Sequence, residues 1–126
     1  MNLFYLYVGV SGLLITILAF NVSRVRISER IRNGDGGNKR LKIASGAYSN
    51  ALEHSVPFAL MIFVLQAQGA NNLTLSVMVV GFLVFRLLHA FGMLYSIFRV
   101  WQIAATLSYL WSFAAAIMIL VNLFTN

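Results

Sequence analysis

Residues 46–57 read Gly46-Ala47-Tyr48-Ser49-Asn50-Ala51-Leu52-Glu53-His54-Ser55-Val56-Pro57, and they decide how the chain is understood. The stretch opens a long apolar segment. It nevertheless carries Glu53, the one acidic residue outside the loop at residues 23–42, and Pro57, the one proline. A carboxylate in an apolar run marks either a functional site or a buried pair, because ionisable groups are costly in hydrocarbon. At roughly 100° per residue, Lys42, Gly46, Ser49, Asn50, Glu53 and Pro57 fall on one helix face. They form a polar stripe of about three turns that leads from a basic loop into apolar sequence.

Outward from this stretch the chain divides into apolar runs. Residues 3–22 match the ~20 residues needed to cross hydrocarbon. Gly9, Ser11 and Gly12 thin that segment where a neighbour could approach, and Tyr5 and Tyr7 fit an interfacial aromatic belt. With no basic n-region and no clear small-x-small site, the run is expected to stay as a spanning helix. Helix 1 is expected to continue past the membrane through Arg32. The tract Asn33-Gly34-Asp35-Gly36-Gly37-Asn38 then breaks it, since glycine and Asx residues favour turns. Asp35 lacks the spacing of an EF-hand and reads as part of a plain turn. Helix 2 is expected over residues 43–68, helix 3 over 73–98 and helix 4 over 101–124, with a tight turn at Arg99 and Val100. Ala104, Ser108, Ser112 and Ala116 recur every four residues as a seam for helix packing, which we read as structural. The expectation is one all-α membrane domain over residues 1–126, a bundle of four transmembrane helices.

Composition agrees. Hydrophobic residues make up 60% of the chain and charged residues 10%, far from a soluble average. The +6 net charge does not point to nucleic acid, because the basic residues cluster in one loop with no aromatic platform beside them. A membrane surface accounts for them. With no cysteine there is no disulfide framework, thiolate metal site or cysteine nucleophile. Seven of the nine Lys/Arg residues (Arg24, Arg26, Arg30, Arg32, Lys39, Arg40 and Lys42) lie in the first loop, and Arg99 lies in the third. The positive-inside rule puts both basic loops in the cytoplasm and both termini outside, as expected for a multi-pass protein of a bacterial inner membrane.

Arg86, His89, Ala90 and Met93 share a face of helix 3, and Glu53 sits at a similar depth on helix 2. Two readings follow. In one, Glu53 and Arg86 form a structural ion pair with Asn50 as interhelical polar glue. In the other, the residues line a polar pocket for an anion that also carries an ammonium. Arg26, Lys42, Arg86 and Arg99 would then hold carboxylates, Glu53 the ammonium and Asn50 the amide groups. His54 and His89 read as packing or hydrogen-bonding residues, since no third metal ligand has suitable spacing.

Taken together, the basic loop with its Gly-Asp-Gly-Gly, then Asn50-x-x-Glu53-x-x-x-Pro57, then Arg86-Leu87-Leu88-His89-x-x-Gly92 resemble the MAPEG family over nearly the whole chain. These are the membrane-associated proteins of eicosanoid and glutathione metabolism, and the likeness is to their short bacterial members. The resemblance implies a left-handed four-helix bundle assembled as a homotrimer. It implies glutathione as co-substrate, bound between adjacent subunits on the cytoplasmic side, and a lipophilic second substrate arriving from the bilayer. By position, Asn50, Glu53, Arg86 and His89 match glutathione-binding or polar positions of the family. Arg26 resembles the basic residue just past helix 1, and Arg99 lies close to an inner-end arginine that stabilises the thiolate. Two positions depart from the family pattern. Gly46 stands where an arginine usually precedes the asparagine by four, with Lys42 one turn further back on the same face. Met93 stands where active members often have tyrosine.

The activity implied is attack of a glutathione thiolate on a hydrophobic electrophile or lipid hydroperoxide, as in a transferase or peroxidase. A non-enzymatic membrane scaffold of the same family is the alternative, kept open by Gly46 and Met93. A small proton-coupled exporter working through Glu53 is a third. Its carboxylate would more often sit in the first helix, and its basic residues would be more evenly divided between loops.

Overall fold

The computed structural model describes residues 2–125. Four helices follow in order: α1 (Leu3–Glu29), α2 (Lys39–Ala67), α3 (Asn72–Leu94) and α4 (Phe98–Thr125). Asparagine starts three of them. The side chains of Asn2, Asn38 and Asn71 accept hydrogen bonds from the first-turn amides of α1, α2 and α3. This satisfies N–H groups that a helix start otherwise leaves unpaired.

The same three helices end alike. Arg30, Gly69 and Ser96 turn left-handed, with φ of 57°, 82° and 55°. Behind each, a pair of amides reaches back to the last-turn carbonyls, such as Ser96 N to Met93 O at 3.2 Å and Ile97 N to Gly92 O at 2.8 Å. This crossed pair closes the helix and redirects the chain. It also moves two expected boundaries. α1 stops at Glu29 rather than Arg32, because Arg30 takes the left-handed position. α3 stops at Leu94, so the turn is Tyr95-Ser96-Ile97 and not Arg99-Val100. Arg99 belongs to the first turn of α4. The loop between α1 and α2 is the expected turn: Gly34, Gly36 and Gly37 adopt positive φ, and the Asp35 carboxylate accepts from Gly37 N at 2.9 Å.

α2 and α3 form the centre of the bundle. They pack on each other, and each packs on both α1 and α4, while α1 and α4 are held apart among the described residues. The α1–α2 loop and the α3–α4 turn share one end, called here the loop end. The core is uneven along this axis. Away from the loop end Tyr7, Phe58 and Phe82 fill it with rings, Phe58 and Phe82 stacked at 3.8 Å between centroids and 8° between planes. Tyr7 is not part of an exposed aromatic belt. It is fully buried, and its hydroxyl donates to Ser55 O at 2.8 Å. Tyr5 is the exposed one. Toward the loop end the core carries smaller side chains, Leu18 with Ala47, Ala51 and Ala90, and then Val25 and Leu41 with Ala44. α1, α3 and α4 are each long and apolar enough to cross a membrane. α2 falls short of that on composition because of its polar first half.

Candidate functional site

Helix geometry decides which residues of the polar stripe enter the bundle. Alongside the stripe, the buried face of α2 includes Ala44, Ala47, Ala51, Ser55 and Phe58. At 100° per residue these lie within about 40° of Ala51, whereas Asn50 lies about 100° away and Glu53 about 200°. Asn50 is therefore at the edge of the buried face and half-buried, and Glu53 points outward and is exposed. Lys42, Ser49 and Pro57 are exposed with it.

Arg86 is buried on α3 with 2% of its surface exposed. Its Nη1 donates to Asn50 Oδ1 at 2.6 Å, and its Nε and Nη2 donate to Ser108 Oγ at 3.1 and 2.8 Å. The Ser108 hydroxyl donates in turn to Ala104 O at 2.8 Å, completing a chain from α2 through α3 to α4. The guanidinium carbon lies 5.8 Å from the Phe82 ring centroid, over its electron-rich face. The Glu53–Arg86 ion pair of the first of the two readings does not form, because Glu53 faces outward. The one ion pair among the described residues joins Arg40 to Glu29 at 2.9 Å, near the loop. A buried cation without a counter-ion persists only when its donors are satisfied, and here neutral oxygens and a ring face satisfy them.

This network orients Asn50. With Oδ1 turned to Arg86, the two amide hydrogens of Asn50 are left for an acceptor elsewhere. Arg86 thus positions a donor at the edge of the exposed stripe. Ser108 was legible only as part of the packing seam. A hydroxyl in a row of small residues, opposite a helix that carries an arginine, is the signal that marks it as a hydrogen-bonding partner.

The remaining candidates do not converge within one chain. His89 is buried with its ring 6.1 Å from Trp101, and His54 lies 5.0 Å from the Tyr109 ring. Arg26 donates to Gly34 O at 2.6 Å, where it braces the loop. Lys42 and Arg99 are exposed. At Gly46, an added Cβ would lie 2.9 Å from Met93 Cε. The two positions that depart from the family pattern thus touch each other.

A helical membrane bundle with a cation fixed in its core, next to an Asn-x-x-Glu stripe on α2, defines the class of protein. Residues 4–124 match the MAPEG family, and the chain belongs to it. It is 32% identical over 119 residues to Inner membrane protein YecN of Escherichia coli, both in strain K12 and in an O6:H1 strain, covering 94% of this chain and 88% of the relative. No solved structure matches the chain.

Proposed function

We propose that the protein is a glutathione-dependent enzyme of a bacterial inner membrane that joins or reduces lipophilic substrates by way of the glutathione thiolate. The observation that carries this reading is the exposed face of α2. Lys42, Ser49 and Glu53 leave ammonium, hydroxyl and carboxylate groups on the outside of an apolar bundle, beside an asparagine whose oxygen is already engaged. Such a surface is unfavourable against lipid and reads as half of a site. A second copy of the chain, in a homotrimer, would supply the other half. Glu53 would then hold the glutathione ammonium and Asn50 a carbonyl or carboxylate. Arg26, Lys42 and Arg86 would supply positive charge, and His89 would support Arg86. Arg99, exposed in the first turn of α4, would stabilise the thiolate. A free thiol has a pKa near ~8.5, and a neighbouring cation lowers it. The basic loops would face the cytoplasm and both termini the other side.

A second reading, a family scaffold without a ligand, is favoured by one feature. Met93 occupies the space that a larger side chain at position 46 would need.

Calorimetry of glutathione binding to the purified protein in detergent separates the two, with Glu53→Gln as the control. Binding that Glu53→Gln abolishes supports the enzyme. Turnover of electrophiles and lipid hydroperoxides should then fall in Arg99→Ala, with binding partly kept. Absence of binding at millimolar glutathione would leave the scaffold.

A further inference from the structure

The loop end of the bundle is stepped. α1 and α2 run on past the point where α3 stops at Leu94. The step forms an open pocket of about 320 Å³, lined by Asn21 and Arg24 of α1, Arg40 of α2, Tyr95 and buried Val25. Arg86, Asn50 and Glu53 are not among its lining residues, so it is separate from the site proposed above.

Its electrostatics are one-sided. Arg24 is exposed, and its hydrogen bond, from Nη2 to Asn21 Oδ1 at 2.8 Å, is to a neutral group. Arg40 donates to Glu29 Oε1 at 2.9 Å, and Glu29 is the acidic group at this place. Two guanidinium groups against one carboxylate leave a net positive charge at the mouth. Arginine suits phosphate oxygens because its N–H groups are fixed in a planar fork.

The surroundings specify the source of the anion. The apolar run of α1 ends at Val22, which puts Arg24 at its boundary. One and two turns before Arg24 on the same helix face, Phe20 and Ile17 are 70% and 56% exposed. Phe91, half-exposed one turn before Tyr95, packs its ring 4.8 Å from the tyrosine ring. The mouth is thus cationic, and the helix faces leading away from it are apolar.

We propose that this pocket binds the phosphate of an anionic phospholipid, with the acyl chains running along the Ile17–Phe20 face of α1. Basic pockets between helices at a membrane boundary recognise lipid headgroups in this way. A soluble phosphate would leave the apolar faces unused.

The test is native mass spectrometry of the detergent-purified protein titrated with phosphatidylglycerol or phosphatidylcholine. Phosphatidylglycerol should bind more tightly. Arg24→Gln and Arg40→Gln should each weaken it about fivefold, and the double variant about thirtyfold. Arg32→Gln, which removes an exposed charge outside the pocket, should weaken it less. Glu29→Gln should tighten it by freeing Arg40. Arg24→Lys, which keeps the charge but loses the fork, should fall between wild type and Arg24→Gln, and it provides a reading should Arg24→Gln misfold. Equal binding of the two lipids, or an equal loss in Arg32→Gln and Arg24→Gln, would overturn the proposal. So would displacement of the lipid by millimolar glycerol phosphate, which would identify a free phosphate ester as the ligand.

Discussion

The two halves of the bundle solve opposite problems. Away from the loop end, Tyr7, Phe58 and Phe82 pack ring on ring, and the one buried hydroxyl among them is bonded to Ser55 O. Toward the loop end Ala44, Ala47, Ala51 and Ala90 face Leu18, Val25 and Leu41 with no buried ring among them, and between the two halves Arg86 spans three helices through Asn50 and Ser108. In the first half, affinity between helices comes from area and shape. In the second it comes from small residues that let backbones approach and from a few directional bonds. Between membrane helices both routes are available, because hydrocarbon gives no hydrophobic drive for helices to associate. The difference teaches that stability and site can be separated along one axis. The aromatic half holds the bundle, which leaves the other half free to carry a charge and an exposed polar face.

This division can be broken by mutation. The largest effect is expected from Phe58→Ala, which removes a ring stacked on Phe82 and leaves the ring face under Arg86 in place. Unfolding in detergent followed by circular dichroism should show a loss of about 2–3 kcal/mol, the cavity part of a large-to-small change without the transfer part. A loss below about 1 kcal/mol would mean that the rings do not hold the bundle.

Next come two glycines of the thin half with opposite outcomes. A Cβ at Gly92 would lie 2.7 Å from Trp101 N and 3.1 Å from its Cα, backbone atoms that cannot move aside. Gly92→Ala should therefore destabilise by about 1–3 kcal/mol. At Gly46 the obstacle is the Met93 methyl at 2.9 Å, the far end of a flexible side chain. Gly46→Ala should be stabilising by a few tenths of a kcal/mol, since alanine gains up to about 1 kcal/mol over glycine in a helix interior. Similar losses at both glycines would show that the two contacts are equally rigid.

The smallest effect sharpens the account of the polar half. A double-mutant cycle of Arg86→Met and Asn50→Leu should give a coupling of about 0.6 kcal/mol, and no more than about 2, as for other interhelical hydrogen bonds in membranes. Zero coupling would detach Asn50 from Arg86.

Legibility in the sequence followed the range of the interaction involved. Gly34, Gly36, Gly37 and Gly69 announced their turns because left-handed backbone is easy for glycine. Arg30 and Ser96 adopt the same conformation without that signal, so the sequence pattern extends α1 and α3 three and four residues beyond their ends. The misplacement at Ser96 is what put Arg99 in a turn. At the site, the common face of Arg86, His89, Ala90 and Met93 is legible from the 3.6-residue period; the first three are buried and Met93 is half-buried.

The sequence by itself determined an all-helical membrane bundle of four helices, the gathering of most basic residues at one end, and the polar stripe along α2 that makes it less apolar than the other three. These follow from composition and period, which are local. Only the tertiary structure decided how that stripe is oriented. α2 buries its alanine face against α1 and α3, and this turns Glu53 outward and leaves Asn50 and Gly46 half-buried at the edge. The partner of Arg86 was likewise undecidable from the chain, because Ser108 lies 22 residues away on another helix. Nothing in a helical period says which faces of two helices will meet. That is set by the packing of the whole bundle, in which α2 and α3 touch every other helix.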